Sequence, residues 1–182
     1  LLAPTNFLSK ASGFSVSQGT QLPTLNLPRV FVLTGGGTAS ASEAFINGLR
    51  GIDVEVVIVG QTTRGKPYGF YGIDNCGTTY FTIQFRGENA KGFGDYADGF
   101  IPSDTDDLFG ANVRGCVVAD DFSHALGDPL EARLAAAIGY IKDGSCPTAA
   151  VSTLKVGARS VLLPVVDADE LTAPEVPGLI LR

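Results

Sequence analysis

The stretch RVFVLTGGGTASASEAFINGLRGIDVEVVIVGQTTRGK, residues 29–66, decides the fold. RVFVLT and VEVVIVG are near-continuous apolar runs, as in strands of a sheet that is covered on both faces. Between them GGG ends the first run, and Ala44, Phe45 and Leu49 recur at helical spacing before Gly51. Strand, glycine turn, helix and strand make a βαβ crossover, which predicts an α/β fold with a mostly parallel or mixed sheet flanked by helices.

The rest of the chain divides into three parts around this unit. Residues 1–28 are rich in Ser, Gly, Thr and Pro, which favours irregular structure. Residues 29–145 carry the predicted core, and residues 146–182 form a tail in which short strands with Pro interruptions are expected. Within the core, TTYFTIQF (78–85) alternates Phe81, Ile83 and Phe85 with polar residues, which predicts a half-buried strand.

A second helix is predicted over GDPLEARLAAAIGYIKDG, residues 127–144. Asp128 is the expected N-cap, Pro129 follows it in the first turn, and Gly144 is expected to end the helix. Its apolar face is expected to hold Leu130, Leu134 and Ile138.

Composition and charge exclude several classes of function. The 182 residues carry a net charge of -6, with a pI near 4.6 and no basic run, which argues against binding to nucleic acid. The longest apolar runs fall short of the roughly 18 residues that a membrane-spanning helix requires. One domain with a sizeable core is expected, without a membrane span in this chain.

The three cysteines, Cys76, Cys116 and Cys146, stand beside Gly or Pro, which favours loops over core strands. One bridge and one free thiol are compatible with this number. No C-x-x-C pair or Cys/His ligand spacing occurs, so neither a zinc site nor another metal site is expected. Cysteines in loops favour an oxidising compartment.

Gly60 to Lys66 fits the phosphate-binding pattern G-x-x-x-x-G-K. In a phosphate loop the lysine is followed by Ser or Thr and by a helix, whereas here Pro67 and the aromatic, Gly-rich run YGFYG follow. This context disfavours a nucleotide site. Lys66 is then either a solvated loop cation, which is the commoner case, or a residue with a chemical partner elsewhere.

Ser40 is the candidate partner. Ser40 and Glu43 form an S-x-x-E capping box, so a purely structural role as a helix cap is one interpretation. The preceding GGGTA also places Ser40 on a sharp turn from strand to helix, beside free backbone N–H groups and the positive end of the helix. A serine nucleophile would occupy the same position.

A serine nucleophile needs a base to accept its proton. The only histidine, His124, lies far along the chain in the polar segment DDFSHALGD, and no pattern supports a Ser-His-Asp triad. A lysine can replace histidine when burial lowers the pKa of its ammonium group. We expect Lys66 to be buried among Pro67, Tyr68 and Phe70 in such an apolar setting.

These two segments together resemble the C-terminal processing, or tail-specific, serine peptidases. The family signature is S-A-S-A-S-E at a helix start, then a strand and G-x-x-T-x-G-K; here T-A-S-A-S-E differs by one Thr. Lys66 follows Ser40 by 26 positions, one more than is usual, and an insertion before VEVVIV accounts for the difference. DGFIPSD and DPLEARLAAAI also resemble later parts of the family's core, so the resemblance covers roughly residues 29–142.

The resemblance implies a crotonase/ClpP-like core and a Ser/Lys dyad. Ser40 would be the nucleophile, Lys66 the general base and Glu43 a supporting residue, while the Ala41 N–H would bind the oxyanion. No metal or organic cofactor is implied. The substrates would be unstructured polypeptide ends, and the location would be the bacterial periplasm or cell envelope.

The chain departs from the family in two ways. The D-L-R-x-N-x-G-G stretch, which supplies a second oxyanion donor, is missing, and so is the PDZ domain that binds substrate tails. Loss of one oxyanion donor typically costs about 100- to 1000-fold in rate. We therefore expect this chain to be the C-terminal part of a longer enzyme. A non-catalytic module that binds apolar ligands or peptides on the same fold is the alternative hypothesis.

Overall fold

The computed structural model describes residues 6–13 and 15–147, and its centre is a four-stranded parallel sheet between two helices. In chain order the elements are β1 (Arg29–Thr34), α1 (Ala41–Gly51), β2 (Glu55–Gly60), β3 (Tyr68–Gly69), β4 (Ile73–Asn75), β5 (Thr78–Tyr80), β6 (Phe85–Arg86), β7 (Ile101–Ser103), β8 (Asn112–Val117) and α2 (Ala132–Asp143). The main sheet has the order β1-β2-β8-β7. β3 pairs with β6, and β4 with β5, in two small antiparallel sheets.

The predicted βαβ crossover is confirmed. β1 and β2 are parallel neighbours in a register that pairs Thr34 with Gly60, and Gly60 in turn pairs with Val117 of β8. These three residues lie at the carboxyl ends of their strands. The loops that leave β1 and β2 therefore start at the same edge of the sheet, where open α/β sheets bind ligands.

β2 is buried on both faces, as its continuous apolar sequence predicts. Its alternate residues enter two different apolar clusters. One cluster, on the side of α1, contains Ile46, Val56, Ile58, Phe93, Tyr96, Phe100 and Val113. The other, on the side of α2, contains Val57, Val59, Cys116, Ala136, Ala137 and Tyr140.

The second helix begins later than predicted. Glu131, not Asp128, is the N-cap, and its carboxylate accepts hydrogen bonds from the N–H groups of Arg133 and Leu134 at 3.1 and 2.8 Å. Asp128 instead closes a separate turn, in which its carboxylate accepts a hydrogen bond from the Leu130 N–H. Because Leu130 lies in that turn, it is exposed.

The buried face of α2 differs from the prediction, whereas its C-terminal end agrees with it. The buried face consists of Ala136, Ala137 and Tyr140 rather than of the larger aliphatic residues. Gly144 ends the helix in the left-handed conformation, with a φ of 69°, as predicted.

Sequence analysis missed the strand β8 and misplaced a cysteine. Cys116 is a buried residue of β8, not a loop residue, and it forms a disulfide with Cys146. Cys76 is free and exposed. The arrangement of one bridge and one free thiol agrees with the cysteine count.

The prediction of one half-buried strand over TTYFTIQF is wrong. Only its two ends are strands, and Phe81 and Ile83 are 60% and 68% exposed. No helix covers this part of the chain in the described structure, so its aromatic rings pair locally. Phe81 packs on Phe70 with ring centroids 5.5 Å apart, and Phe85 packs on Tyr71 at 5.2 Å.

Hydrogen bonds from Arg50 connect α1 to the loop between β7 and β8. One guanidinium nitrogen, Nη2, donates hydrogen bonds to Asp106 Oδ1 at 3.3 Å and to the Gly110 carbonyl at 3.2 Å. The guanidinium also lies 5.5 Å from the ring centroids of Phe93 and Phe100. Burial lowers the pKa of Arg50 and the charge of Asp106 opposes that shift, so this is a buried cation that depends on its partners.

Residues 6–13 and 15–28 contain an isolated bridge between Lys10 and Gln21 and little regular structure, as their composition predicts. The strands expected in the tail concern residues 148–182, outside the described residues. Over residues 6–13 and 15–147, every helix is too short or too polar to cross a membrane.

Candidate active site

Ser40 occupies the turn between the glycine loop after β1 and the first residue of α1. Its φ is 56° and its ψ is -111°, whereas an ordinary N-cap residue has an extended backbone with a negative φ. A conformation of this kind costs a non-glycine residue on the order of 1–3 kcal/mol. A strained turn from strand to helix also presents the serine nucleophile of α/β-hydrolases. The side chain of Ser40 is exposed.

Both halves of the predicted capping box are present, and the half formed by the Glu43 carboxylate is a hydrogen bond of ordinary geometry. Glu43 Oε2 accepts a hydrogen bond from the Ser40 N–H at 2.9 Å. The Ser40 hydroxyl faces the start of α1 without completing a capping hydrogen bond of ordinary geometry. Glu43 therefore holds the backbone of Ser40, and the Ser40 hydroxyl makes only a loose capping contact with the start of α1.

Glu43 is a fully buried carboxylate that joins the two sequence motifs. Besides the Ser40 N–H, it accepts hydrogen bonds from the Thr63 hydroxyl at 2.6 Å, the Gly65 N–H at 2.6 Å and the Lys66 N–H at 2.8 Å. One carboxylate oxygen, Oε2, binds the backbone N–H of both Ser40 and Lys66. Because both nitrogens are hydrogen-bonded to one oxygen atom, they lie less than ~6 Å apart.

This carboxylate also explains the phosphate-loop pattern. The N–H groups of Gly65 and Lys66 bind the anionic side chain of Glu43 instead of a phosphate. Gly65 has a φ of 81°, and a side chain there would overlap the Ala97 carbonyl, so the glycine is required by its surroundings.

Further hydrogen bonds join the loops that follow β1 and β2. The Arg64 N–H donates to the Thr38 carbonyl at 2.7 Å, and the Gly36 N–H donates to Gln61 Oε1 at 3.2 Å. The Thr34 hydroxyl donates to the Gln61 carbonyl at 2.8 Å. The turn that carries Ser40 and the loop that carries Lys66 are thus one connected unit.

The side chain of Lys66 does not lie where its sequence context predicts. It is exposed, which corrects the expectation of a buried ammonium group. Pro67 is buried, but Tyr68 and Phe70 are 43% and 45% exposed and form no apolar pocket around it. Within residues 6–13 and 15–147, no hydrogen bond joins Lys66 Nζ to Ser40 Oγ. The Ser40/Lys66 dyad therefore stays a prediction.

Ala41 is the first residue of α1, so its N–H has no acceptor within the helix. It follows Ser40 directly and is exposed. The start of α1 therefore offers one backbone donor beside the serine hydroxyl, together with the positive end of the helix macrodipole.

His124 belongs to a different part of the molecule. Its Nδ1 lies 2.7 Å from Asp121 Oδ2 and 3.1 Å from the Ser123 hydroxyl, in the loop after β8. Hydrogen bonds from Ser123, and then the interaction with His124, hold the pKa of Asp121 well below its usual range. These contacts are local, and His124 has no hydrogen bond to Ser40.

Sequence analysis overlooked Thr63 and Tyr96. Thr63 is buried; its hydroxyl donates to Glu43 and accepts from the Phe100 N–H at 2.7 Å, so it links Glu43 to the core. The threonine of G-x-x-T-x-G-K was a signal for this role. Tyr96 had no such signal; burial, followed by the charge of Glu43, raises the pKa of its hydroxyl.

Comparison with known proteins adds evidence on the fold. The chain is similar to a solved structure from Bacteroides fragilis NCTC 9343, described as a "Putative S41 protease", with 24% identity and a TM-score of 0.50. The similarity covers 70% of this chain, and the chain spans 30% of that protein's length. No protein-family model matches the chain, and no curated protein matches it. The likeness confirms the predicted crotonase/ClpP-like α/β fold.

Proposed function

We propose that this chain carries the catalytic residues of a serine peptidase of the tail-specific, C-terminal processing type. The observation that supports the proposal most is the shared carboxylate of Glu43, which binds the backbone N–H of Ser40 and of Lys66. A helix cap alone would not require the lysine loop to bind the same carboxylate. The name of the similar structure, an S41 protease, agrees with the motif resemblance.

In the proposed reaction the Ser40 hydroxyl attacks the scissile carbonyl carbon, and Lys66 Nζ accepts the hydroxyl proton. The Ala41 N–H donates a hydrogen bond to the oxyanion. Lys66 then gives the proton to the leaving amine as the C–N bond breaks, which leaves an ester on Ser40. Lys66 then accepts a proton from water as the water oxygen attacks the ester carbonyl. Lys66 returns this proton to Ser40 Oγ when the ester bond breaks.

The exposed ammonium group sets a condition for this mechanism. Lys66 must turn its side chain toward Ser40, and the backbone separation of less than ~6 Å is within the reach of a lysine side chain. A bound polypeptide would cover Lys66 and remove water from it, which favours the neutral amine. Glu43 would keep both backbones in place during this rearrangement.

The proposed substrates are unstructured polypeptide ends, which could bind as an added strand. The proposed location is the bacterial periplasm or envelope, where the disulfide between Cys116 and Cys146 would be retained.

Hydrolysis of an unstructured peptide by the full chain, followed by mass spectrometry of the products, tests the proposal. We expect cleavage by the wild type and by Ser42→Ala, which changes a neighbouring serine, and none by Ser40→Ala. Equal cleavage by Ser40→Ala and wild type would refute the assignment of Ser40.

One observation favours the alternative of a non-catalytic binding module: Lys66 Nζ has no hydrogen bond to Ser40 Oγ in the described structure. In that case Lys66→Ala would leave peptide binding unchanged, and the wild type would show no Ser40-dependent hydrolysis. Isothermal titration with the same peptide, next to the hydrolysis assay, distinguishes the two functions.

A further inference from the structure

Residues 68–86 form an arm of 19 consecutive residues, none of which is buried. The Gly87 N–H donates to the Pro67 carbonyl at 3.0 Å and closes the base of this arm. Asp74 and Arg86 are its only charged residues. The large apolar residues of the arm are 43–68% exposed; they are Tyr68, Phe70, Tyr71, Ile73, Tyr80, Phe81 and Ile83. A composition typical of a protein core therefore lies on the surface, which marks an interaction site.

The exposed apolar surface of the arm is large enough for a protein interface. These seven residues are about half exposed, and with ~200 Å² for each large side chain they present roughly 700 Å². A standard interface buries ~800 Å² on each partner. The arm carries one acid and one cation, whereas the whole chain has a net charge of -6. Two copies can therefore approach each other through this surface with little electrostatic repulsion.

The turn at the tip of the arm determines which backbone groups face outward. Asn75 and Thr78 are paired across a two-residue turn, in which Cys76 and Gly77 have φ values of 50° and 78°. Positive values at both positions are those of a type I′ hairpin, whose flanking residues form a hydrogen-bonded pair. Bonded and non-bonded pairs alternate along antiparallel strands. Thr79 is therefore in a non-bonded pair, and its N–H and C=O groups point away from β4.

Residues 79–83 have a free backbone edge. β5 ends at Tyr80, and within residues 6–13 and 15–147 the backbone groups of residues 81–83 form no hydrogen bond. Because successive residues of an extended strand face opposite edges, Phe81 and Ile83 present their N–H and C=O groups on the same edge as Thr79. The segment contains no Pro and no charged residue, which are features that natural proteins use to prevent pairing between edges. This edge is therefore open to an added strand.

We propose that residues 79–83 pair in antiparallel fashion with the same residues of a second copy of this chain, with Phe81 opposite Phe81 of the second copy. In this register Thr79 lies opposite Ile83, so all the residues with outward backbone groups meet in hydrogen-bonded pairs. A two-fold axis passes between the two Phe81 residues, and the interface is isologous. The inference does not depend on the proposed peptidase function.

The side chains that this register brings together favour pairing of the segment with itself. Phe81 meets Phe81, and Tyr80 meets Thr82; aromatic pairs and pairs of an aromatic with a β-branched residue both stabilise antiparallel strands. Thr79 and Ile83, which also lie opposite each other, are β-branched and suit a pleated sheet. A shift of the register by one residue would bring outward backbone groups opposite inward ones, so the pairing is specific.

Sedimentation velocity of the full chain tests this interface. Every protein carries Cys76→Asn, because the free, exposed Cys76 thiol could form a disulfide that mimics a dimer, and asparagine suits the positive φ of this turn position. At about 100 µM, above the Kd of most specific complexes, we expect a species of roughly twice the 18.9 kDa of the chain. Phe81→Lys should weaken the dimer at least about 10-fold, because two like charges then face each other. Phe122→Lys, at a 93% exposed position outside the arm, is the matched control and should leave the dimer unchanged.

An exchange of charge at Phe81 tests the register. Phe81→Lys and Phe81→Glu should each be monomeric, and an equimolar mixture of the two should form a dimer, because unlike charges then face each other across the axis. Recovery in the mixture also shows that both variants are folded. No recovery in the mixture, or a dimer that Phe81→Lys leaves unchanged, would overturn the proposed pairing. A reference protein that stays monomeric would overturn it as well, and is the result expected if the edge binds a strand of another protein.

Amide hydrogen exchange, followed by NMR at one concentration, gives a second test that reads the backbone directly. The N–H groups of Thr79 and Ile83 should exchange at least about 10-fold more slowly in the reference protein than in Phe81→Lys, because the dimer protects them. The Thr82 N–H faces the other edge and should exchange at the same rate in both proteins. Equal rates for Thr79 and Ile83 in the two proteins would overturn the inference.

Discussion

Ser40→Gly is expected to stabilise the protein and to abolish its proposed activity. Glycine adopts a positive φ without steric cost, whereas Ser40 adopts a φ of 56° with a side chain present. If the Ser40 hydroxyl acts in catalysis, the strained backbone of this turn lowers the stability of the protein in return for activity. If the backbone of Ser40 carried no strain, removal of the hydroxyl would only weaken the cap of α1.

The expected gain follows from three contributions. Release of the strained backbone contributes on the order of 1–3 kcal/mol. The greater entropy of glycine in the unfolded chain opposes this by about 0.5–1 kcal/mol, and exchange of Ser for Gly at an N-cap costs a few tenths. The net result is an increase of about 1 kcal/mol in the free energy of unfolding, or about 2–4 °C in Tm for a chain of this size.

Urea denaturation of the full chain, read by circular dichroism, measures this difference. Ser42→Gly is the control, because Ser42 lies in the first turn of α1 and glycine there should lower stability by about 0.5 kcal/mol. The two substitutions should therefore change stability in opposite directions. A loss of stability in Ser40→Gly equal to that in Ser42→Gly would refute the strained-nucleophile account.

Glu43→Gln should lower the free energy of unfolding by about 3 kcal/mol. Four donors face the carboxylate, and the NH2 group of a glutamine cannot accept hydrogen bonds from them. A lower urea midpoint at constant m would show this loss, and an unchanged midpoint would contradict it. Arg50→Ala should cost about 1.5–3 kcal/mol, because it removes the hydrogen bonds of the buried guanidinium to Asp106 Oδ1 and to the Gly110 carbonyl. The same urea measurement applies, and a loss below about 1 kcal/mol would argue against this role. Reduction of the disulfide between Cys116 and Cys146, which spans 30 residues, should lower the free energy of unfolding by about 3–4 kcal/mol. Thermal unfolding with and without dithiothreitol measures this loss, and identical Tm values would exclude it.

The central part of the fold was predictable because its sequence signals are strong and local. β2 is a near-continuous apolar run, and the glycine loop before α1 separates strand from helix. Elsewhere the sequence patterns extend over only two or three residues, and structure predicted from them was wrong. The alternation of Phe81 and Ile83 is a genuine period-two pattern, but burial depends on a covering layer that no local sequence specifies.

The candidate site was predictable in its residues but not in its contacts. Ser40, Glu43 and Lys66 stand out by their motifs, whereas the hydrogen bonds of Glu43 to the lysine loop depend on the parallel pairing of β1 and β2. The exposure of Lys66 could not be deduced, because aromatic neighbours in sequence need not surround a side chain in space. Tyr96 lies in a loop far along the chain from Glu43, so neither spacing nor motif pointed to it.

The most direct test of the central claim is the rate at which a fluorophosphonate acylates Ser40 in the full chain, compared between wild type and Lys66→Ala at one pH. Lys10→Ala, which removes another exposed lysine, is the control for the change in charge. General-base catalysis by Lys66 predicts a rate at least about 100-fold lower in Lys66→Ala and unchanged in Lys10→Ala. Rates within twofold of each other in all three proteins would contradict the assignment of Lys66 as the base.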